Sequence, residues 1–132
     1  MQPEKSILLV DSDREFCRAM KKMLETSGFC VTMASDGKEA LEVLAENTFH
    51  LILSGMRMPN LGGIEFMAEI KRMNINVPVI FITAYGDVES YLKVMNMGAF
   101  EYLNKPVKGQ EILRVARRAL GCYDSPQHAS CS

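Results

Sequence analysis

Polar side chains stand directly after three apolar runs of the sequence. Asp11, Ser12 and Asp13 follow the first run. Thr83 ends a second run, and Lys105 follows a third. Two carboxylates, a hydroxyl and an ammonium that converge on one crevice would suit a phosphoryl group together with a hard cation such as Mg²⁺. The sequence therefore predicts a crevice of this chemistry where the strands end.

Covalent phosphoryl chemistry in that crevice would also need a nucleophile after the run Leu51–Leu53. Gly55 stands there and has no side chain. Ser54 precedes it, and neighbouring strand residues point to opposite faces, so we expect Ser54 to face away. Ser12 is better placed but needs a base to activate it. We expect no covalent acceptor in this crevice.

The elements that hold these residues alternate between two patterns. Ile7–Val10, Leu51–Leu53 and Val79–Ile82 are continuous apolar runs, as strands covered on both faces are. Weaker strands are predicted at Cys30–Ala34 and Phe100–Leu103, and apolar residues at helical spacing follow each of the five. This order predicts an α/β fold with one parallel sheet and helices on both faces. Ligands of such sheets bind beyond the carboxyl ends of the strands.

Local signals mark several helix ends. Asp13 and Asp36 are well placed to accept hydrogen bonds from the first backbone N–H groups of the first and second helices. Gly28 is a plausible C-terminal stop of the first helix, because glycine tolerates the left-handed conformation that often ends helices.

Length, composition and net charge limit the class of protein to which this chain can belong. The chain has 132 residues, 48% of them hydrophobic, which predicts one packed domain rather than disorder. We place this domain at residues 1–121 and a flexible tail or linker at 122–132. The formal net charge of −1 excludes a global attraction to nucleic acid. No apolar run reaches the roughly 20 residues of a membrane span, and no signal peptide pattern is present, so we expect a cytoplasmic protein without membrane contact.

Four cysteines are widely spaced, without a C-x-x-C pair, at Cys17, Cys30, Cys122 and Cys131. Metal-binding and thioredoxin-like motifs need close pairs, so we expect reduced thiols.

Several short motifs, in order, give the chain a family resemblance. Residues 5–120 resemble the receiver domain of bacterial two-component response regulators. The matching stretches are Ile7–Asp11, Ser35–Ala40, Met58–Gly63, Val77–Ala84, Met97–Ala99 and Lys105-Pro106. The resemblance implies a (βα)₅ flavodoxin-like fold with five parallel strands in the order 2-1-3-4-5. It also implies a cis peptide bond before Pro106.

The resemblance assigns roles to the polar residues. In this family an aspartate that ends strand three accepts phosphate from a histidine kinase, and two acids after strand one help to bind Mg²⁺. Asp11 matches the first acid, Thr83 the switch hydroxyl and Lys105 the phosphate-binding lysine. Tyr102 matches an aromatic residue that swings inward on activation.

Two positions depart from the family pattern. Gly55 replaces the acceptor aspartate, and Ser12 replaces the second acid. Asp11 and the backbone carbonyl of Arg57 would remain for a metal, so we expect weak or absent Mg²⁺ binding and no cofactor. We expect a degenerate, non-catalytic receiver in which Gly55 prevents phosphorylation and the pocket is vestigial.

The implied partners are proteins: a histidine kinase, an output domain or another signalling protein. Receivers also dimerise through helix four, strand five and helix five. There the acids Asp87, Glu89 and Glu101 could face basic residues of the last helix, namely Lys108, Arg114, Arg117 and Arg118. So few bases indicate a solvated or protein-binding face rather than direct nucleic-acid binding.

Two rival interpretations stay open. A Mg²⁺-dependent phosphatase of the haloacid-dehalogenase type would use Asp11 and Asp13, with Thr83 and Lys105. The residues Arg14-Glu15 after Asp13 are atypical of it, and no later acidic pair completes a metal site. The second rival is a pure interaction module that keeps the receiver fold but has lost the linkage between Thr83 and Tyr102.

Overall fold

The computed structural model describes residues 5–121. It contains five strands and five helices in strict alternation. The strands are β1 (Ser6–Val10), β2 (Cys30–Ala34), β3 (Leu51–Ser54), β4 (Val79–Thr83) and β5 (Glu101–Asn104). The helices are α1 (Arg14–Thr26), α2 (Gly37–Glu46), α3 (Gly63–Arg72), α4 (Val88–Asn96) and α5 (Gly109–Ala119). The predicted tail at 122–132, with Cys122 and Cys131, lies outside the described residues.

The strands form one parallel sheet in the order β2-β1-β3-β4-β5, which confirms the predicted topology. The fifth strand is shifted by one residue, since it begins at Glu101 rather than at Phe100. After β1 the chain crosses to β2 on one side and then to β3 on the other. The switch point therefore lies between the ends of β1 and β3, next to Asp11 and Gly55.

Each face of the sheet has its own hydrophobic core. On one face α2, α3 and α4 pack around Phe66 and Phe81, both fully buried. On the other face α1 and α5 pack around residues such as Leu24 and Val115. Strands β3 and β4 are buried along their whole length, as their continuous apolar sequences predict. Within residues 5–121, no helix is long and apolar enough to cross a membrane.

The predicted helix ends are confirmed. Asp13 Oδ1 accepts the backbone N–H of Phe16 at 3.1 Å, and Asp36 Oδ1 accepts that of Glu39 at 2.8 Å. The Glu39 hydrogen bond, with a second from the Asn60 amide at 2.7 Å, holds the pKa of Asp36 below its usual range. Gly28 follows α1 with φ of +97°, a left-handed angle that glycine adopts without a steric penalty.

Candidate functional site

The ends of β1, β3, β4 and β5 enclose an open crevice of about 170 Å³. The predicted site residues Asp11, Ser12, Gly55, Thr83 and Lys105 all line it. The structure therefore brings together the residues that the sequence singles out. Tyr102 does not line the crevice; it pairs with Phe81, two positions before Asn104, the residue that pairs with Thr83.

An ion pair between Asp11 and Lys105 is the main contact of this crevice. Lys105 Nζ donates to Asp11 Oδ2 at 3.0 Å and lies 3.9 Å from Asp13 Oδ2. The Lys105 ammonium also lies 3.9 Å from the centre of the Phe16 ring. Both partners are sheltered, since the side chains of Lys105 and Asp11 are only 16% and 8% exposed. Lys105, which faces no carboxylate at position 55, is therefore paired with Asp11.

The Asp11 carboxylate also occupies the space beside Gly55. A Cβ atom at position 55 would lie 3.1 Å from Asp11 Oδ2 and 3.2 Å from Asp11 Cγ, so the carboxylate would have to move by a few tenths of an ångström. The other oxygen, Oδ1, accepts the backbone N–H of Asp13 at 2.9 Å. Both oxygens of Asp11 are thus engaged by groups of the protein itself.

The two hydroxyl groups beside Gly55 lie in different places. Ser54 is buried, does not line the crevice, and donates to the Gly55 carbonyl at 2.9 Å. Ser12 is exposed and lines the crevice. Among residues 5–121 no three His, Cys, Asp or Glu side chains are grouped to hold a metal ion. The peptide bond between Lys105 and Pro106 is cis, as the resemblance implies.

Thr83 and Tyr102 are each tied to the start of α4 or the loop before it. Thr83 is only 2% exposed, and its Oγ1 accepts the backbone N–H of Tyr85 at 3.0 Å. Tyr102 is 8% exposed, and its hydroxyl hydrogen-bonds the Ser90 hydroxyl at 2.8 Å. The Tyr91 ring meets the Tyr102 ring edge-on, with centres 5.4 Å apart. Tyr102 therefore lies inward, packed against α4.

Sequence reasoning missed Ser90, Tyr91 and Phe16 as neighbours of the switch residues. Ser90 occurs three residues after the N-cap Asp87, where its backbone N–H is bonded to Asp87 Oδ1 at 2.8 Å. That position predicts a helix start, but no sequence signal pairs its hydroxyl with Tyr102.

Cys17 lies directly behind the crevice. It is buried, and its thiol donates to the backbone carbonyl of Asp11 at 3.5 Å. Burial, and next the negative charge of Asp11, raise the pKa of Cys17 from 9.0 to about 11, although Lys105 opposes the rise. Cys30 is an exposed free thiol. Cys17 is likewise a free thiol in the structure.

This difference predicts the reactivity of the thiols. At pH 8 iodoacetamide should modify the exposed Cys30 readily and the buried Cys17 far more slowly. The rise of the Cys17 pKa from 9.0 to about 11 lowers its own thiolate fraction about a hundredfold, and burial slows access further. Because the folded-state pKa is the higher one, Cys17 should also make the free energy of unfolding fall as the pH rises from about 9 through about 11. Peptide mapping by mass spectrometry measures the two rates, and equal rates would contradict the buried thiol.

Four of the five large apolar side chains exposed within residues 5–121 lie in one stretch, at Tyr85, Val88, Tyr91 and Leu92. Val88 is 73% exposed, and only Val94 of α4 is buried. We call this stretch the α4 patch. An apolar patch of this kind on a small domain is typical of a protein-binding surface.

The basic residues of α5 are partly paired within the domain. Arg118 donates to Glu101 at 3.0 Å, and Arg114 donates to Glu111 at 2.7 Å. Glu101 and Arg118 were expected to face each other across a dimer interface. They already form an ion pair inside one chain.

Comparison with known proteins places this geometry in a family. Residues 7–117 match the response regulator receiver domain family. The chain is 36% identical over 114 residues to the transcriptional regulatory protein ZraR of Escherichia coli K12. The aligned region covers 86% of this chain and 26% of ZraR. It is 32% identical over 121 residues to the DNA-binding transcriptional regulator NtrC of the same strain, covering 92% of this chain and 26% of NtrC. The chain thus spans about a quarter of the length of these relatives.

Solved structures of receiver domains have the same fold as this chain. A CheY-like response regulator receiver domain from Methanospirillum hungatei superposes with a TM-score of 0.87 at 28% identity, covering 90% of this chain and 95% of that chain. A receiver domain from Clostridium thermocellum superposes with a TM-score of 0.83 at 33% identity, covering 89% of this chain and 94% of that chain. The fold, the strand order and the sequence match agree, and the chain belongs to the receiver domain family of two-component response regulators.

Proposed function

We propose that this domain is a receiver that signals without phosphorylation, through contacts with other proteins. The proposal rests on one observation, the glycine at position 55 and the carboxylate that lies beside it. Gly55 offers no acceptor, and the Asp11 carboxylate that stands beside it is already paired with Lys105 at 3.0 Å. Asp11 and Lys105 are charged residues of the kind that a phosphorylation site contains, but here they form an ion pair with each other.

The same contacts argue against a Mg²⁺ site. A magnesium ion dehydrates reluctantly and needs carboxylate oxygens in near-octahedral geometry. Asp11 and Asp13 both lie within 4 Å of the Lys105 ammonium, and Ser12 supplies no charge. A cation would have to displace Lys105 and would then meet its repulsion. We therefore propose weak or absent Mg²⁺ binding and no catalytic activity.

The α4 patch supports a protein partner. We propose that a histidine kinase, an output domain or another signalling protein contacts the domain in the cytoplasm, without membrane or direct nucleic-acid contact. The patch also supports a homodimer through α4, β5 and α5. Because Glu101 pairs with Arg118 of its own chain, Val88 and Leu92 would supply most of the contact. No observed contact favours the phosphatase alternative with Asp11 and Asp13.

Titration with Mg²⁺ and then beryllofluoride, followed by NMR of the backbone amides, tests this proposal. In phosphorylatable receivers beryllofluoride completes a site that the acceptor carboxylate begins. We expect no saturable shifts at Asp11, Thr83 or Tyr102 beyond those caused by sodium fluoride at the same ionic strength. Saturable shifts at these residues would contradict the proposal.

A further inference from the structure

The exposed side of α1 carries a row of cations. Arg14, Arg18 and Lys22 follow one another at intervals of four residues, which places them about 6 Å apart along the helix. All three are exposed, and none forms an ion pair with another residue of the range 5–121. We call these three residues the α1 row.

The stability of α1 does not explain this row. Like charges four residues apart on a helix repel. Arg14 is the first residue of α1, where the positive end of the helix dipole disfavours a cation. The last turn of α1, where the dipole would favour a cation, contains no basic residue. Each of these placements costs a few tenths of a kcal/mol. If an anionic partner bound to the row, these unfavourable electrostatic contributions would become favourable ones.

A groove runs beside the α1 row. A half-open cavity of about 230 Å³ adjoins a shallow, nearly flat depression, and both have Arg18 and Met33 in their walls. Met33 on the edge strand β2 is 40% exposed and is the fifth large exposed apolar side chain, apart from the α4 patch. The groove therefore combines cations with one apolar contact.

The acidic residues of the groove are already engaged. Glu39 accepts from the backbone N–H and the hydroxyl of Ser35, and Glu25 lies 4.0 Å from Lys21. Asp11, in the wall of the half-open cavity, is paired with Lys105. Glu15 and Glu25 lie on the same helix, three residues from Arg18 and Lys22, but neither forms an ion pair with the α1 row among residues 5–121. The three cations therefore remain open to an external anion.

We propose that this groove binds an acidic segment of a partner protein. The segment would present carboxylates about 6 Å apart to Arg14, Arg18 and Lys22 and one apolar side chain to Met33. Because α1 packs on the face opposite to α4, this surface is separate from the α4 patch. The proposal rests on charge and shape and holds whether or not the domain is phosphorylated.

A fluorescent helical peptide with Glu at positions i, i+4 and i+8 and one Leu beside them tests the proposal. We expect saturable binding by fluorescence anisotropy, with NMR shifts confined to α1 and to the Met33 methyl group. Arg18→Glu should weaken binding roughly tenfold, because it turns an attraction into a repulsion. Lys71→Glu, an equal change of charge on exposed α3, is the matched control and should leave the affinity unchanged.

Four further measurements complete the test, namely circular dichroism, the salt dependence of binding, a scrambled peptide and an oligonucleotide. Circular dichroism should show both variants folded, and raising the salt concentration should weaken binding of the peptide. An absence of saturable binding, an equal affinity for a scrambled peptide of the same composition, or an equal loss with Lys71→Glu would each overturn the proposal. Binding of a single-stranded oligonucleotide as tight as that of the peptide would also overturn it, since a general polyanion surface would then explain the row.

Discussion

Lys105→Met is expected to destabilise the domain by about 3 kcal/mol. The substitution leaves Asp11 as an unpaired carboxylate in a site where its side chain is only 8% exposed. Removing one partner of a sheltered ion pair is costly because the other charge loses both its water and its counter-ion. The remaining hydrogen bond from the Asp13 backbone N–H to Asp11 Oδ1 compensates for only part of that loss. Urea denaturation followed by circular dichroism measures the change.

A second substitution separates charge from packing. Asp11→Asn in the Lys105→Met background should recover part of the loss, because the neutral amide removes the unpaired charge while keeping an acceptor for the Asp13 N–H. Lys71→Met on the surface of α3 should change the free energy of unfolding by less than about 0.5 kcal/mol. A loss with Lys105→Met as small as that control would show that the ion pair contributes little to stability. Strictly additive effects of the changes at 11 and 105 would mean that the two side chains do not interact.

Gly55→Asp together with Ser12→Asp is expected to create Mg²⁺ binding where we expect little or none in the native protein. The new side chain at 55 forces the Asp11 carboxylate to move, since its Cβ would lie 3.1 Å from Asp11 Oδ2. Three neighbouring carboxylates repel one another, so the variant should lose about 1 kcal/mol without the ion. Gly55 is not among the residues with positive φ, so losing the freedom of glycine in the unfolded chain should offset about 0.5 kcal/mol of this.

Magnesium should reverse the loss in this double variant. At a free concentration ten times its Kd the ion adds about 1.4 kcal/mol to the free energy of unfolding. With beryllofluoride, NMR shifts should spread from the crevice to Thr83, Tyr102 and α4. Ser12→Asp alone is the control and should respond weakly. Shifts confined to the crevice would mean that Thr83 and Tyr102 no longer transmit the signal, and the pure interaction module would then replace our proposal. Absence of any Mg²⁺ binding would contradict the role given to positions 12 and 55.

The fold could be predicted because its signals are local. Continuous apolar runs fixed β1, β3 and β4, and the caps Asp13 and Asp36 marked the starts of α1 and α2. The fifth strand was placed one residue early because Phe100 is as apolar as the strand itself but lies at its edge.

The site could be predicted only in part. Asp11, Thr83 and Lys105 meet because the carboxyl ends of parallel strands share one edge, which the element order already implies. The pairing of Ser90 with Tyr102 and of Arg118 with Glu101 depends on how side chains far apart in sequence are oriented. No residue spacing encodes such contacts.

Intact-mass spectrometry after incubation with acetyl phosphate and Mg²⁺ tests the central claim most directly. The native chain should gain no phosphate, because Gly55 supplies no acceptor, while the Gly55→Asp, Ser12→Asp variant serves as a positive control for the reagent. A native chain that gains one phosphate, labile in base as an acyl phosphate is, would contradict the account.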